Sequence, residues 1–65
     1  MKTVVVARAG NLSVGDHLLE MRSWLTERDI EPRELTMLHV IGFRVVFRAV
    51  FDKEGEADLF VRHFG

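Results

Sequence analysis

The chain has 65 residues, no cysteine, ten acidic side chains against nine lysines and arginines, and a net charge of −1. This length allows a single small domain over residues 1–65, and the missing cysteines exclude disulfides and thiolate metal sites. The near-zero charge excludes a global attraction to nucleic acid or anionic lipid. Because a chain this short buries only about 60% of its unfolded surface, the hydrophobic content of 48% favours self-association.

The N-terminal residues give no sign of a membrane segment or a secretory leader. No apolar run approaches the ~20 residues that span a bilayer. Lys2 is followed by only a short valine run before Arg8, which is not the shape of a signal peptide. We therefore expect a soluble, cytoplasmic protein with no membrane contact.

Residues 2–9 predict a first strand, because the valine run favours β structure and Gly10-Asn11 ends it with a turn. Side chains of a strand alternate between its two faces. One face carries Lys2, Val4, Val6 and Arg8, and the other carries Thr3, Val5, Ala7 and Ala9. We assign the second face to the core because it holds no charge.

Residues 13–28 predict a helix. Ser13 is a suitable N-cap, and Asp16 follows near the positive end of the helix dipole. The apolar positions recur at helical spacing and form one stripe, made of Val14, Leu18, Met21 and Leu25. Pro32 disfavours helical geometry in the preceding residue and therefore ends the helix.

Residues 34–40 predict a second strand whose faces are both partly apolar, so its orientation stays open. Gly42 supplies a turn or bulge after it. Val40 and Ile41 then lie near a hairpin tip, where two bulky aliphatic side chains indicate coverage by another surface.

Residues 43–51 alternate strictly between apolar and mixed positions and predict a third strand. Its apolar face is expected to point to the core and consists of Phe43, Val45, Phe47, Ala49 and Phe51. Its outer face consists of Arg44, Val46, Arg48 and Val50.

The last segment predicts a second helix, because Ala57, Phe60, Val61 and Phe64 share one helical face and Asp52 is a suitable N-cap. A fourth strand over residues 57–63 is the alternative. The order β-α-β-β-α predicts an α+β fold with a three-stranded, mainly antiparallel sheet and two helices on one face, a ferredoxin-like plan lacking its last strand. This order is similar to that of peptidoglycan-binding SPOR-type domains. The resemblance covers most of the chain in element order alone, so it implies a fold and no binding residues.

The outer sheet face is the candidate functional surface. It is expected to combine four cations with four valines, namely Lys2, Val4, Val6, Arg8, Arg44, Val46, Arg48 and Val50. Most acidic side chains fall in the helices and their flanks, so we expect a basic sheet side and an acidic helix side. Three interpretations stay open: a homodimer interface, which four exposed valines favour; a solvated face whose arginines cover the valines; and a site for an acidic protein or an anionic ligand.

Other classes of function find little support in the residues. Nucleic-acid binding is not expected, because sheet-based single-strand binders stack bases on exposed aromatics and the phenylalanines here are assigned to the core. The loop after Gly10 lacks the P-loop and dinucleotide motifs, so no cofactor is expected. His17 and Glu20 are interpreted as a polar surface pair rather than metal ligands, and Ser13 as a cap rather than a nucleophile. We expect a non-enzymatic interaction or assembly module, homodimeric through the open sheet face or a sheet edge, with an anion- or nucleic-acid-binding domain as the alternative.

Overall fold

A computed structural model describes all 65 residues and has the predicted β-α-β-β-α order. The elements are β1 (Lys2–Ala9), α1 (Val14–Glu27), β2 (Glu34–Ile41), β3 (Arg44–Phe51) and α2 (Glu54–Phe64). The strands form one sheet in the order β1-β3-β2, and β3 pairs antiparallel with both neighbours. The α+β fold is confirmed, and residues 57–63 are helical rather than a fourth strand.

The core lies between the sheet and the two helices. Phe47 and Phe51 of β3 are fully buried, as are Phe60 of α2 and Met21 of α1 to within 1%. The rings of Phe51 and Phe60 lie 5.3 Å apart. The inward direction of these β3 side chains is therefore confirmed, because strict alternation with one aromatic-rich face leaves only one way to bury the phenylalanines.

The orientation of β1 is the reverse of the predicted one. Val4 and Val6 are buried at 8% and 2% exposure, whereas Val5 on the other face is 56% exposed. Residues directly opposite each other in a sheet share a face, and Val6 lies opposite the buried Phe47. The charges that suggested an outward face belong to Lys2 and Arg8, which sit at the two ends of the strand, where long side chains reach past the core.

The third strand begins one residue later than predicted, and Phe43 lies outside the core. Ile41 and Arg44 pair across a two-residue turn, in which Gly42 has a φ of +57°. A positive φ at the first central position is typical of a tight hairpin turn and favours glycine there. Phe43 is the second turn residue and is 92% exposed, so the alternation continues into the turn without predicting burial.

A β-bulge in β2 explains why its orientation could not be assigned. The register with β3 shifts between Met37 and His39, which leaves Leu38 as the extra residue. Leu35, before the bulge, is buried. After it, His39 and Ile41 lie opposite residues of the outer face of β3. Both faces of β2 read as apolar because the strand changes parity halfway.

The two helices differ in how their N-termini are capped. Ser13 is the N-cap of α1, and its Oγ accepts a hydrogen bond from the backbone N–H of Asp16 at 3.1 Å, as predicted. The N-cap of α2 is Lys53, with no side-chain hydrogen bond. The assignment of Asp52 to that cap is wrong, since its carboxylate pairs with the Arg33 guanidinium.

Candidate interaction site

The predicted eight-residue surface is divided between the two sides of the sheet. The half from β3 lies on the sheet face away from the helices, called the open face here, and comprises Arg44, Val46, Arg48 and Val50. The half from β1 lies on the helix side and comprises Lys2, Val4, Val6 and Arg8. The prediction that one face carries all four cations is therefore wrong, because β1 has the opposite orientation.

The open face is not strongly basic, and its valines differ in exposure, from 8% for Val46 to 56% for Val5. The Arg48 guanidinium lies 2.6 Å from the carboxylate of Glu34, so its charge is balanced on the same face. Val46 is only 8% exposed, because it lies opposite Ala7 on one side and His39 on the other. Arg44 forms no ion pair. The open face therefore keeps one unpaired cation, Arg44, where the sequence predicted four cations.

Arg8 connects β1 to both helices. Its Nη1 donates to the backbone carbonyl of Phe64 at 3.1 Å, and its Nη2 donates to the carboxylate of Glu20 at 3.3 Å. Its guanidinium also lies 5.3 Å from the centre of the Phe64 ring, within the range of a cation–π interaction. These contacts explain how a charged residue fits the helix side of the sheet, and they leave Arg8 a structural role rather than a free binding group.

Five of the eleven large hydrophobic side chains that are exposed lie on the β2–β3 hairpin. Five large side chains there are 40% to 92% exposed, and they form what is called the hairpin patch: Met37, Leu38, Val40, Ile41 and Phe43. From Leu35 to Phe43 the chain carries no Lys, Arg, Asp or Glu, and His39 is the only titratable residue. Clustered exposed apolar side chains mark an interaction site in proteins, whereas single exposed residues do not.

The hairpin patch also lies at a sheet edge. β2 pairs only with β3, so its outer backbone groups have no strand beside them. Proteins usually protect such edges with charged residues, proline, a bulge or a covering element. Here the bulge at Leu38 is the single such device between Leu35 and Ile41. Part of this surface was indicated by Val40 and Ile41, two bulky aliphatic residues near the hairpin tip, whereas the bulge has no recognisable pattern in the sequence.

The position of the hairpin is fixed by contacts from β1 and α1. The Gly10 N–H donates to the Phe43 carbonyl at 2.6 Å, which connects the end of β1 to the turn. His17 lies beneath this junction and is 2% exposed. Its Nε2 is 2.7 Å from the Ala9 carbonyl, which only accepts, so Nε2 carries the proton. The interpretation of His17 as a surface residue is wrong, since it packs edge-on against the Phe47 ring.

No three His, Cys, Asp or Glu side chains come close enough together to hold a metal ion. None of the helices has the length and apolar character needed to cross a membrane. Comparisons of the chain with protein-family models, with curated proteins and with solved structures found no match.

Proposed function

We propose that this protein is a non-enzymatic interaction and assembly module that forms a homodimer through the hairpin patch. The observation that carries the proposal is the set of five neighbouring apolar side chains on an edge hairpin, with Phe43 92% exposed at its tip. Exposing a large aromatic to water costs on the order of 2 kcal/mol relative to burying it, and a domain of this size has little stability to spare.

A two-fold arrangement suits the patch. In a homodimer with two-fold symmetry the same surface of both subunits meets, so one apolar patch covers the other. Val40 and Ile41 direct their side chains to opposite faces of the sheet, because neighbouring strand residues alternate. Pairing of two hairpins would therefore bury apolar side chains on both faces and give the outer backbone groups of β2 hydrogen-bond partners.

Two of the side chains that could carry chemistry, Ser13 and His17, are engaged in the fold, which supports a non-enzymatic role. Ser13 Oγ accepts the N-cap hydrogen bond, and the Nε2 of His17 binds the Ala9 carbonyl. A nucleophile and its base need to reach each other within about 3 Å. Anion binding on the open face is not proposed, because two of its four predicted cations lie on the other side of the sheet.

Sedimentation equilibrium at micromolar concentrations tests the proposal, with two matched substitutions. Ile41→Lys places a charge in the hairpin patch, and Leu19→Lys makes the same change on α1, where Leu19 is 65% exposed compared with 61% for Ile41. We expect Ile41→Lys to weaken dimerisation by about tenfold to a hundredfold, the equivalent of one buried aliphatic side chain, and Leu19→Lys to leave it unchanged. A wild-type mass of 7.5 kDa across this range, or equal effects of both substitutions, would contradict the proposal.

A further inference from the structure

The opposite edge of the sheet carries a second surface, separate from the hairpin patch. A groove of about 550 Å³ runs between β1 and α2, and its lining residues are Lys2, Val4, Val5, Asp58, Val61 and Arg62. This groove is called the β1 groove. Its three apolar lining residues are Val4, Val5 and Val61, and its other three lining residues are charged.

The backbone of β1 is available along this groove. The Gly10 N–H donates to the carbonyl of Phe43, its partner when the register of β1 and β3 is continued by one residue. In an antiparallel pair, bonded and non-bonded residues alternate, so the even-numbered residues of β1 bond to β3. The N–H and C=O groups of Thr3, Val5 and Ala7 therefore point outward.

The outward groups of Thr3, Val5 and Ala7 have no hydrogen-bond partner, whereas the outward carbonyl of Ala9 has one. The Ala9 carbonyl, of the same parity, accepts a hydrogen bond from His17, which independently supports the assignment of outward groups to odd-numbered residues. No hydrogen bond from another element reaches the corresponding groups of Thr3, Val5 or Ala7. Three consecutive outward positions are thus open to pairing with another strand.

The charges at the rim select the partner. Lys2 at one end of β1 and Arg62 on α2 form no ion pair, and neither does Asp58. Two unpaired cations against one carboxylate give the groove a net charge of +1, whereas the whole chain carries −1. Charge complementarity therefore favours acidic side chains in the occupant.

We propose that the β1 groove binds an extended acidic peptide segment of a partner protein, which adds to β1 as a fourth strand. Backbone hydrogen bonds to Thr3, Val5 and Ala7 hold the segment, and alternate side chains enter the groove. Within the groove, an apolar side chain packs on Val4 and Val61, and an acidic side chain lies near Lys2 or Arg62. The peptide does not use the β2 edge, so the homodimer and the peptide occupy opposite edges of the sheet.

Fluorescence polarisation with synthetic peptides tests this assignment on the intact protein. The probe is a labelled heptapeptide, glutamate-threonine-valine-threonine-glutamate-threonine-valine, whose odd positions alternate between acidic and apolar groups. We expect saturable binding, and binding at least tenfold weaker when lysine replaces glutamate. Methylation of one alternating set of backbone amides should abolish binding, and methylation of the other set should not, because only one edge of an added strand faces β1.

Substitutions in the protein provide the second arm. Val5→Pro removes an outward N–H without removing a bond to β3, which proline tolerates on an edge strand, and it should lower peptide affinity at least tenfold without changing the sedimentation mass. Arg62→Glu should also weaken binding about tenfold, and it tests the same site if the proline variant does not fold. Arg22→Glu, the same charge change at an exposed α1 residue outside the groove, should not.

Several results would overturn the assignment. Equal binding of both methylated peptides would show that no strand is added, and equal binding of the glutamate and lysine peptides would remove the charge argument. Loss of the dimer in Val5→Pro, with no peptide binding by the wild type, would make the β1 edge a contact between copies of this chain instead.

Discussion

Replacement of Gly10 by alanine is expected to destabilise the protein at the junction between β1 and the hairpin. A Cβ added at Gly10 would lie 2.7 Å from the Phe43 carbonyl oxygen, closer than van der Waals contact allows. This oxygen also accepts the Gly10 N–H. It belongs to the backbone of a two-residue turn whose flanking residues, Ile41 and Arg44, are paired, so it cannot move aside alone.

The size of the effect follows from three opposing contributions. Loss of the hydrogen bond costs about 1 kcal/mol, and accommodation of the extra methyl group in a tight site costs roughly 1–3 kcal/mol. Because alanine restricts the unfolded chain more than glycine does, the substitution also stabilises the folded state by about 0.4–1 kcal/mol. The net loss is about 1–3.5 kcal/mol, equivalent to a fall in Tm of roughly 5–25 °C for a domain of this size.

Thermal unfolding followed by circular dichroism measures this shift, with all proteins at one concentration because a dimer has a concentration-dependent Tm. Gly55→Ala is the matched control, since a Cβ there meets nothing within 4 Å and alanine favours the helix that contains it. We expect the control to raise Tm by a few degrees. An unchanged or higher Tm for Gly10→Ala would refute the role of the Gly10–Phe43 contact.

Three further substitutions probe the cap, the core and the open face. Ser13→Ala removes the acceptor for the Asp16 N–H and should cost about 1 kcal/mol in urea unfolding. Phe47→Ala empties a fully buried site and should cost about 3–5 kcal/mol, so its urea transition should lie near zero denaturant; a well-defined transition above 3 M would argue against a single core around this ring. Arg48→Glu places a second carboxylate beside Glu34 and should lower the free energy of unfolding by about 1 kcal/mol, discounted for partial exposure, while the dimer persists. The exchanged pair Arg48→Glu with Glu34→Arg should recover most of that loss. A monomeric Arg48→Glu variant would place the interface on the open face.

The elements could be predicted from the sequence where a pattern ran through a whole segment. The strict alternation of β3 fixed the inward direction of Phe47 and Phe51, and helical spacing located Met21 and Phe60 in the core. Ser13 was predictable as a cap because its role depends on local chemistry alone.

The orientation of β1 and the position of Phe43 were predicted wrongly, because tertiary contacts and the turn determine them. Charge indicated that Lys2 and Arg8 face outward, but Arg8 lies at a strand end and reaches Phe64 and Glu20. Phe43 continued the pattern of β3 into a turn. The candidate surface was therefore half wrong, and the hairpin patch was indicated only by Val40 and Ile41.

An isotope-filtered nuclear Overhauser experiment on a mixture of labelled and unlabelled protein tests the hairpin interface most directly, because it detects contacts between protomers and no others. We predict cross-peaks between protomers from the Ile41 and Val40 methyl groups to the Phe43 ring. Cross-peaks between protomers confined to Val46 and Val50 would place the interface on the open face and contradict the proposed dimer, as would their complete absence at millimolar concentration.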